Sequence, residues 1–201
     1  MPRTLLTLAL IGLVAAVLLA GVHELTEERI AAQADRRALA TLNQLVDPDD
    51  YDNRLLQDRI PARIAGLDEP ATAYRARAGG EPVAALADVT TADGYSGDIR
   101  LLVGLRPDGE LIGVRVLEHR ETPGLGDRIE RDRSDWIEQF AGRSLGDPPG
   151  EQWAPDRRGG AFDTLSSATI TSAAVIDAVA RVLEWFEANR DNVFETASEP
   201  A

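Results

Sequence analysis

IRLLVGLRPDGELIGVRVL, residues Ile99 to Leu117, contains two apolar, β-branched runs, Ile99 to Leu105 and Leu111 to Leu117, separated by Arg106-Pro107-Asp108-Gly109. Pro and Gly between such runs suit a turn, so the stretch predicts an antiparallel hairpin. Upstream, Ala73 to Ala78 and Pro82 to Val89 flank Gly79-Gly80 and predict a second hairpin, with a loop from Thr90 to Gly97 leading into the first. Downstream, Ser134 to Ala141 opens with a Ser N-cap, carries Trp136, Ile137 and Phe140 on one face and stops at Gly142, the pattern of a short amphipathic helix. From Ser172 to Asn189 the residues Val175, Ile176, Val179, Val182, Leu183 and Phe186 fall on one helical stripe. Hairpins followed by helices, without βαβ alternation, predict an α+β domain with an antiparallel sheet and packed helices.

Before this domain, Leu5 to Val22 (LLTLALIGLVAAVLLAGV) runs without a charge between Arg3 and Glu24. A helix of that length spans roughly 27 Å at about 1.5 Å per residue, near the thickness of a thin hydrocarbon core. Positive charge stays on the cytoplasmic side, so a transmembrane anchor would leave residues 1–4 inside and everything after Val22 outside. A cleaved signal peptide, cut near Ala20 or Gly21, is the other reading, although its apolar core usually runs to only about 7–15 residues. From Glu24 to Leu45, the positions Leu25, Ile30, Ala31, Ala34, Ala38, Leu42 and Leu45 recur at helical spacing and predict a stalk ended by Asp47-Pro48-Asp49-Asp50. The expected plan is therefore an anchor at 5–22, a helical stalk and linker at 23–70, one domain at 71–191 and a flexible tail at 192–201.

Composition narrows the chemistry. The chain carries 34 acidic residues and 21 Arg, has no Lys and no Cys, and has a formal net charge of −13. This balance argues against a nucleic-acid partner. Schiff-base lysine chemistry, thiolate catalysis, disulfides and Cys-ligated iron–sulfur clusters are excluded. Two His residues argue against a multi-histidine metal site, so a redox role would need an organic cofactor.

Two stretches do not read as ordinary structure. Glu118-His119-Arg120-Glu121-Thr122-Pro123-Gly124-Leu125-Gly126-Asp127 follows the clear hairpin, and its Pro and Gly residues let the backbone approach a flat ligand closely. A turn that merely ends a strand uses the same residues, with His119 as a hydrogen-bonded structural histidine. Asp163-Thr164-Leu165-Ser166-Ser167-Ala168-Thr169-Ile170-Thr171-Ser172 gathers Ser and Thr hydroxyls and a carboxylate at the start of the last helix, where unpaired N–H groups favour an anion such as phosphate. The alternative is a polar loop with Thr171 or Ser172 as a simple N-cap.

The pair ETPGLGD (Glu121 to Asp127) and D-x-x-S-x-A-T (Asp163 to Thr169), with GYSGDIRLLVGL (Gly94 to Leu105), SDWIEQFAG (Ser134 to Gly142) and the apolar N-terminus, closely resembles the RnfG/RsxG family of FMN-binding proteins from Rnf/Rsx electron transport complexes. The related NqrC family, from the sodium-pumping NADH:quinone oxidoreductase, shares the motif but is typically longer. The resemblance implies that FMN is held covalently, through a phosphoester bond to Thr169, and that a separate flavin transferase makes the bond from FAD with a divalent cation after export. It implies Asp163, Ser166, Ala168 and Thr169 as the transferase's recognition residues. Pocket residues suggested beside it are His119, Glu121, Thr122, Gly124, Leu125 and Gly126, with Ser166, Ala168, Ile170 and Thr171. Leu125 and Trp136 are candidate packing surfaces for the flavin ring, and Arg128, Arg157 and Arg158 read either as phosphate contacts or as ordinary surface arginines.

Ser167 stands where the family usually has Gly, which would slow modification if the loop needed φ > 0 there. The expected function is that of a membrane-anchored, single-electron relay on the outer face of a bacterial inner membrane, working with other members of the complex and membrane lipid and having no catalytic residues of its own. No G-x-G-x-x-G fingerprint occurs, so an NADH step would belong to a partner. A non-redox exported sensor or scaffold is the reading from another class, and a hydrolase built on His119 lacks a G-x-S-x-G elbow.

Overall fold

A computed structural model describes residues 12, 15, 16, 18, 32–67 and 69–196. The expected anchor at 5–22 lies almost wholly outside the described residues. Among those described, no helix is long and apolar enough to cross a membrane. The chain divides into two units, Met1–Ala40 and Thr41–Ala201. In the first, residues 32–40 are helical and mostly exposed, so Ala34 and Ala38 of the expected stalk stripe face solvent.

The second unit is built on a five-stranded antiparallel meander in the order β1-β2-β3-β4-β5. Its strands are β1 (Arg59–Ala62), β2 (Ala71–Ala78), β3 (Glu81–Thr91), β4 (Ile99–Leu105) and β5 (Leu111–Glu118). Both expected hairpins are present. Gly79 and Gly80 have φ of 59° and 89°, the pair of positive angles that a two-residue turn with the strands' own twist demands. The β4–β5 turn closes through Arg106 N–H on Glu110 O at 2.8 Å. The sheet begins earlier than residue 71, because β1 pairs with β2 from Arg59 opposite Tyr74 to Ala62 opposite Ala71.

The long C-terminal helix, Thr169–Glu195, lies across β3 and β4. Its stripe of Val175, Ile176, Val179, Val182, Leu183 and Phe186 is buried against Ala73, Ala85, Ala87, Val89, Leu101 and Val103. The small Ala side chains on β2 and β3 leave room for the helix's larger residues. This helix starts three residues before the expected Ser172 and ends six after Asn189. Its last turn is not a loose tail: Val193 is buried, and the fully buried Arg75 donates to Val193 O (2.9 Å) and Thr196 O (2.6 Å). The guanidinium thus meets the carbonyl end of the helix, where a cation is favoured.

The other face of the sheet is covered near its centre by the segment after residue 41. Leu42, Leu45, Val46 and Leu55 are buried there with Leu86 and Leu102. Gly104 and Gly113 are paired across β4 and β5, and a Cβ on either would come within 3.2 or 3.1 Å of the Leu45 side chain. The seat for Leu45 is made by those two glycines. The helix before it ends at residue 42, ahead of the expected Asp47 stop.

The segment between β5 and the C-terminal helix contains 3-10 turns. Asp135–Phe140 is 3-10, not α-helical, but keeps the expected Ser134 cap, which accepts from Trp136 N–H at 3.3 Å, and buries Trp136, Ile137 and Phe140. Phe140 stacks on Phe162 (5.1 Å between centroids), and Phe162 lies 4.4 Å from Trp153, an aromatic cluster that fixes this segment on the core.

Candidate functional site

The site forms where two loops and the start of the C-terminal helix meet one buried carboxylate. After β5 the chain turns at His119, whose Nδ1 accepts from Glu121 N–H (3.0 Å). Its proton is therefore on Nε2, which donates to Glu130 Oε1 at 2.6 Å. Both ring nitrogens are spent on the loop itself, so His119 is a hydrogen-bonded strut behind the turn.

Glu121 points inward and is only 5% exposed. Its Oε1 accepts from Ser96 N–H (3.0 Å) in the β3–β4 loop, and its Oε2 accepts from the Thr171 hydroxyl (2.6 Å) in the first turn of the C-terminal helix. Two glycines make space for it. A Cβ on Gly94 would lie 2.9 Å from Oε1, and one on Gly126 would lie 2.8 Å from Oε2. Glu121 therefore joins these segments, and Thr171 and Gly126 are likewise buried in this joint.

The rest of ETPGLGD is presented outward. Thr122 O accepts from Leu125 N–H (3.1 Å) and Gly126 N–H (3.0 Å), and Asp127 Oδ1 accepts from Gly124 N–H (2.8 Å). Gly124 has φ of 78° with no atom within 4 Å of a built Cβ, so the turn needs glycine for its backbone and leaves open space beside it. Thr122, Pro123, Gly124 and Leu125 are exposed, Leu125 by 44%.

The second motif is fastened from behind. Asp163 O accepts from the Trp136 indole N–H (2.6 Å), Asp163 N–H donates to Gln139 Oε1 (2.8 Å), and the Thr164 hydroxyl donates to Asp156. The last contact is the main reason the Asp156 carboxyl is held below its ordinary value. Ser172 Oγ accepts from Leu165 N–H and donates to Ala168 O, both at 3.0 Å. Neither Thr171 nor Ser172 is an N-cap: both lie inside the helix and are fully buried.

The cap position belongs to Ala168, which provides no side-chain acceptor, and the first turn contains no acidic residue. Thr169 is the first helical residue and is half-buried, while Ser166, Ser167 and Ile170 are exposed. The helix thus offers unspent N–H donors and its positive dipole end around one accessible threonine hydroxyl, the environment a phosphate ester requires. Trp136 is committed to the core, edge-on to Phe140 at 5.6 Å, so it does not offer the expected ring surface. Arg128, Arg157 and Arg158 are all exposed. The last two belong to the 3-10 turn that Asp156 ties to Thr164. Ser167 carries no strain, because among the described residues no non-glycine has positive φ.

Residues 94–184 match the FMN-binding domain family, and residues 1–45 match the RnfG N-terminal region. The chain is 46% identical over 197 residues to the G subunit of the ion-translocating oxidoreductase complex of Pseudomonas aeruginosa (strain UCBPP-PA14), a match covering 96% of this chain and 92% of that one. The chain belongs to the RnfG family. Its resemblance to other G subunits of that complex is similarly full-length, with 42% identity to the one from Photorhabdus laumondii over 93% of this chain and 90% of that one. The one from Shewanella loihica is 41% identical, over 92% and 89%. The FMN-binding match begins at Gly94, so it takes in both loops and the helix start that Glu121 joins.

The residues that this RnfG-family chain presents fit FMN. A phosphate suits the uncapped helix start at Thr169, and the exposed Leu125 and Ile170 with the open space at Gly124 suit an apolar ring. Tyr95, which the sequence alone does not single out, is 68% exposed beside Ser96 in the same joint. An aromatic residue held outward in a Gly/Ser loop was the available signal.

Proposed function

We propose that the chain is the flavoprotein subunit of an ion-translocating electron transport complex, carrying FMN through a phosphoester on Thr169 and relaying electrons between partner subunits. The observation that carries this reading is the half-buried Thr169 hydroxyl at the start of a helix without a side-chain cap, inside the FMN-binding match. Ester formation joins Thr169 Oγ1 to the FMN phosphorus of FAD as the pyrophosphate bond breaks, with AMP leaving and the hydroxyl proton lost. The proposed catalyst is a separate flavin transferase, reading the exposed Asp163 and Ser166 and the neighbouring Ala168 and Thr169.

Bound FMN supplies reversible electron uptake and release. The chain's own residues hold the tether in place. Trp136 and Gln139 fix Asp163, Ser172 fixes Leu165 and Ala168, and Glu121 locks the helix start to the Gly-rich turn. Retention then rests on the covalent bond, so the ring edge can remain exposed to electron partners.

The proposed arrangement places residues 5–22 as a single-pass anchor in the bacterial inner membrane, in contact with lipid, with the folded unit outside and the ion path and NADH chemistry in partner subunits. The proposed cofactor domain extends from 59 to 196, wider than 71–191, to include β1 and the clamped helix end. The test is in-gel flavin fluorescence of the denatured chain after co-production with a flavin transferase. A fluorescent parent band and a dark Thr169→Val band are expected; equal bands would refute the attachment.

A further inference from the structure

His119 ties the Glu121 joint to a group that can change its charge. Its side chain is only 10% exposed, with Nδ1 accepting from Glu121 N–H (3.0 Å) and Nε2 donating to Glu130 Oε1 (2.6 Å). Glu121 in turn holds the β3–β4 loop through Ser96 N–H and the helix start through the Thr171 hydroxyl. The bond at Nδ1 thus fixes the backbone from which that carboxylate enters the joint. Protons can reach the ring, because it lines a cavity of about 650 Å³. The charged groups around it there are Arg115 and Glu118 of β5, with Glu130, Arg131 and Asp132 of the segment after Asp127–Ile129. The segment that covers the sheet adds only the neutral Gln44. Arg133 approaches the same pair from outside, 4.0 Å from Glu130 Oε2.

We infer that His119 is a pH-operated latch on the Glu121 turn. Only neutral imidazole keeps an acceptor nitrogen; imidazolium donates from both. A proton taken up at Nδ1 meets the Glu121 N–H, donor against donor, so this bond breaks while the Nε2 contact with Glu130 becomes an ion pair. The ring stays with Glu130, and the turn is let go at the residue through which the β3–β4 loop and the helix start are joined. Imidazole is the side chain whose ordinary charge change falls between about pH 5 and 8, a range open to a compartment outside the cytoplasm, where the folded unit is proposed to lie. The latch is a property of the chain without flavin and does not depend on attachment at Thr169.

The experiment follows the nitrogen-15-labelled, full-length chain in detergent by NMR from about pH 8 to about pH 5, reading the His119 ring and the Glu121 amide together. His119→Asn is the control, because an Asn side-chain oxygen accepts from the amide two residues on, as in an Asx-turn, and does not titrate. In the parent the Glu121 amide proton is expected to move upfield with the same midpoint as the ring. Its exchange protection, corrected for the intrinsic rate, is expected to fall roughly 2–10-fold, the factor that one such hydrogen bond is worth. In His119→Asn both are expected to stay level over this interval. A ring that titrates while the Glu121 amide stands still, or a ring that stays neutral down to pH 5, would overturn the inference. The same amide movement in His119→Asn would also overturn it and assign the movement to Glu118, Glu130 or Asp132. Should His119→Asn fail to fold, the parent's two midpoints decide the matter by themselves.

Discussion

Replacing Glu121 by Ala should loosen the whole site from its centre. The carboxylate is 5% exposed and accepts from Ser96 N–H and the Thr171 hydroxyl, so the variant leaves two donors without their acceptor. A hydrogen bond to a charged acceptor contributes about 1.5–3 kcal/mol, which puts the gross loss near 3–6 kcal/mol. Removing a buried charge returns part of its desolvation cost, and water entering the vacated space recovers more, so the net loss is about 2–4 kcal/mol. For a chain of this size that lowers Tm by roughly 5–15 °C. Glu121→Gln keeps one oxygen for one donor and should lose about half as much. Trp136 and Trp153 are both buried, so near-UV circular dichroism and tryptophan emission report the transition in the full-length chain. An Ala variant melting within about 2 °C of the parent would remove Glu121 from the centre of the site.

Gly94→Ala would set its Cβ 2.2 Å from Gly97 O, a backbone atom that cannot swing away, so a loss of about 1–3 kcal/mol or more is expected in the same melt. Arg75→Met should cost about 1.5–3 kcal/mol, because Asp58 keeps Arg77 and Asn53 but the carbonyls of Val193 and Thr196 lose their donor, with amide exchange rising first in the last helical turn. Asp156 titrates below its ordinary value of 3.8, chiefly because of the Thr164 hydroxyl. Its contribution is therefore present above that ordinary value and fades as pH falls through the lowered one. In Thr164→Val, the Asp156 carboxyl resonance should titrate at higher pH than in the parent.

What could be read from the sequence was local. Alternation and turn residues gave away both hairpins, and the 3.6-residue stripe gave away the helix over β3 and β4. Strand β1 was hidden because RIPA is four residues long and contains Pro61, which demotes a run to an edge strand unless its partner is known. The helix start was misplaced because Thr169, Ile170 and Thr171 are β-branched and resemble loop or cap residues until Thr171 meets a carboxylate 50 positions away. Sequence distance likewise concealed the role of Glu121, whose partners Ser96 and Thr171 lie on other segments. Motif resemblance singled out these residues, and the structure separates the ones that face outward, such as Leu125 and Ile170, from the ones that hold the site together. The last helical turn looked like a tail because the clamp on it, Arg75, is a β2 residue more than 100 positions earlier.

The proposed relay depends most on the bond at Thr169. Mass spectrometry of the tryptic peptide Gly159 to Arg181, from full-length protein made with a flavin transferase, tests that bond without an intermediary. The expected peptide is heavier by FMN less one water, with fragmentation placing the added mass on Thr169 and none on Ser166 or Ser167. An unmodified peptide from protein whose transferase modifies a control substrate, or an adduct on another residue, would contradict the tether.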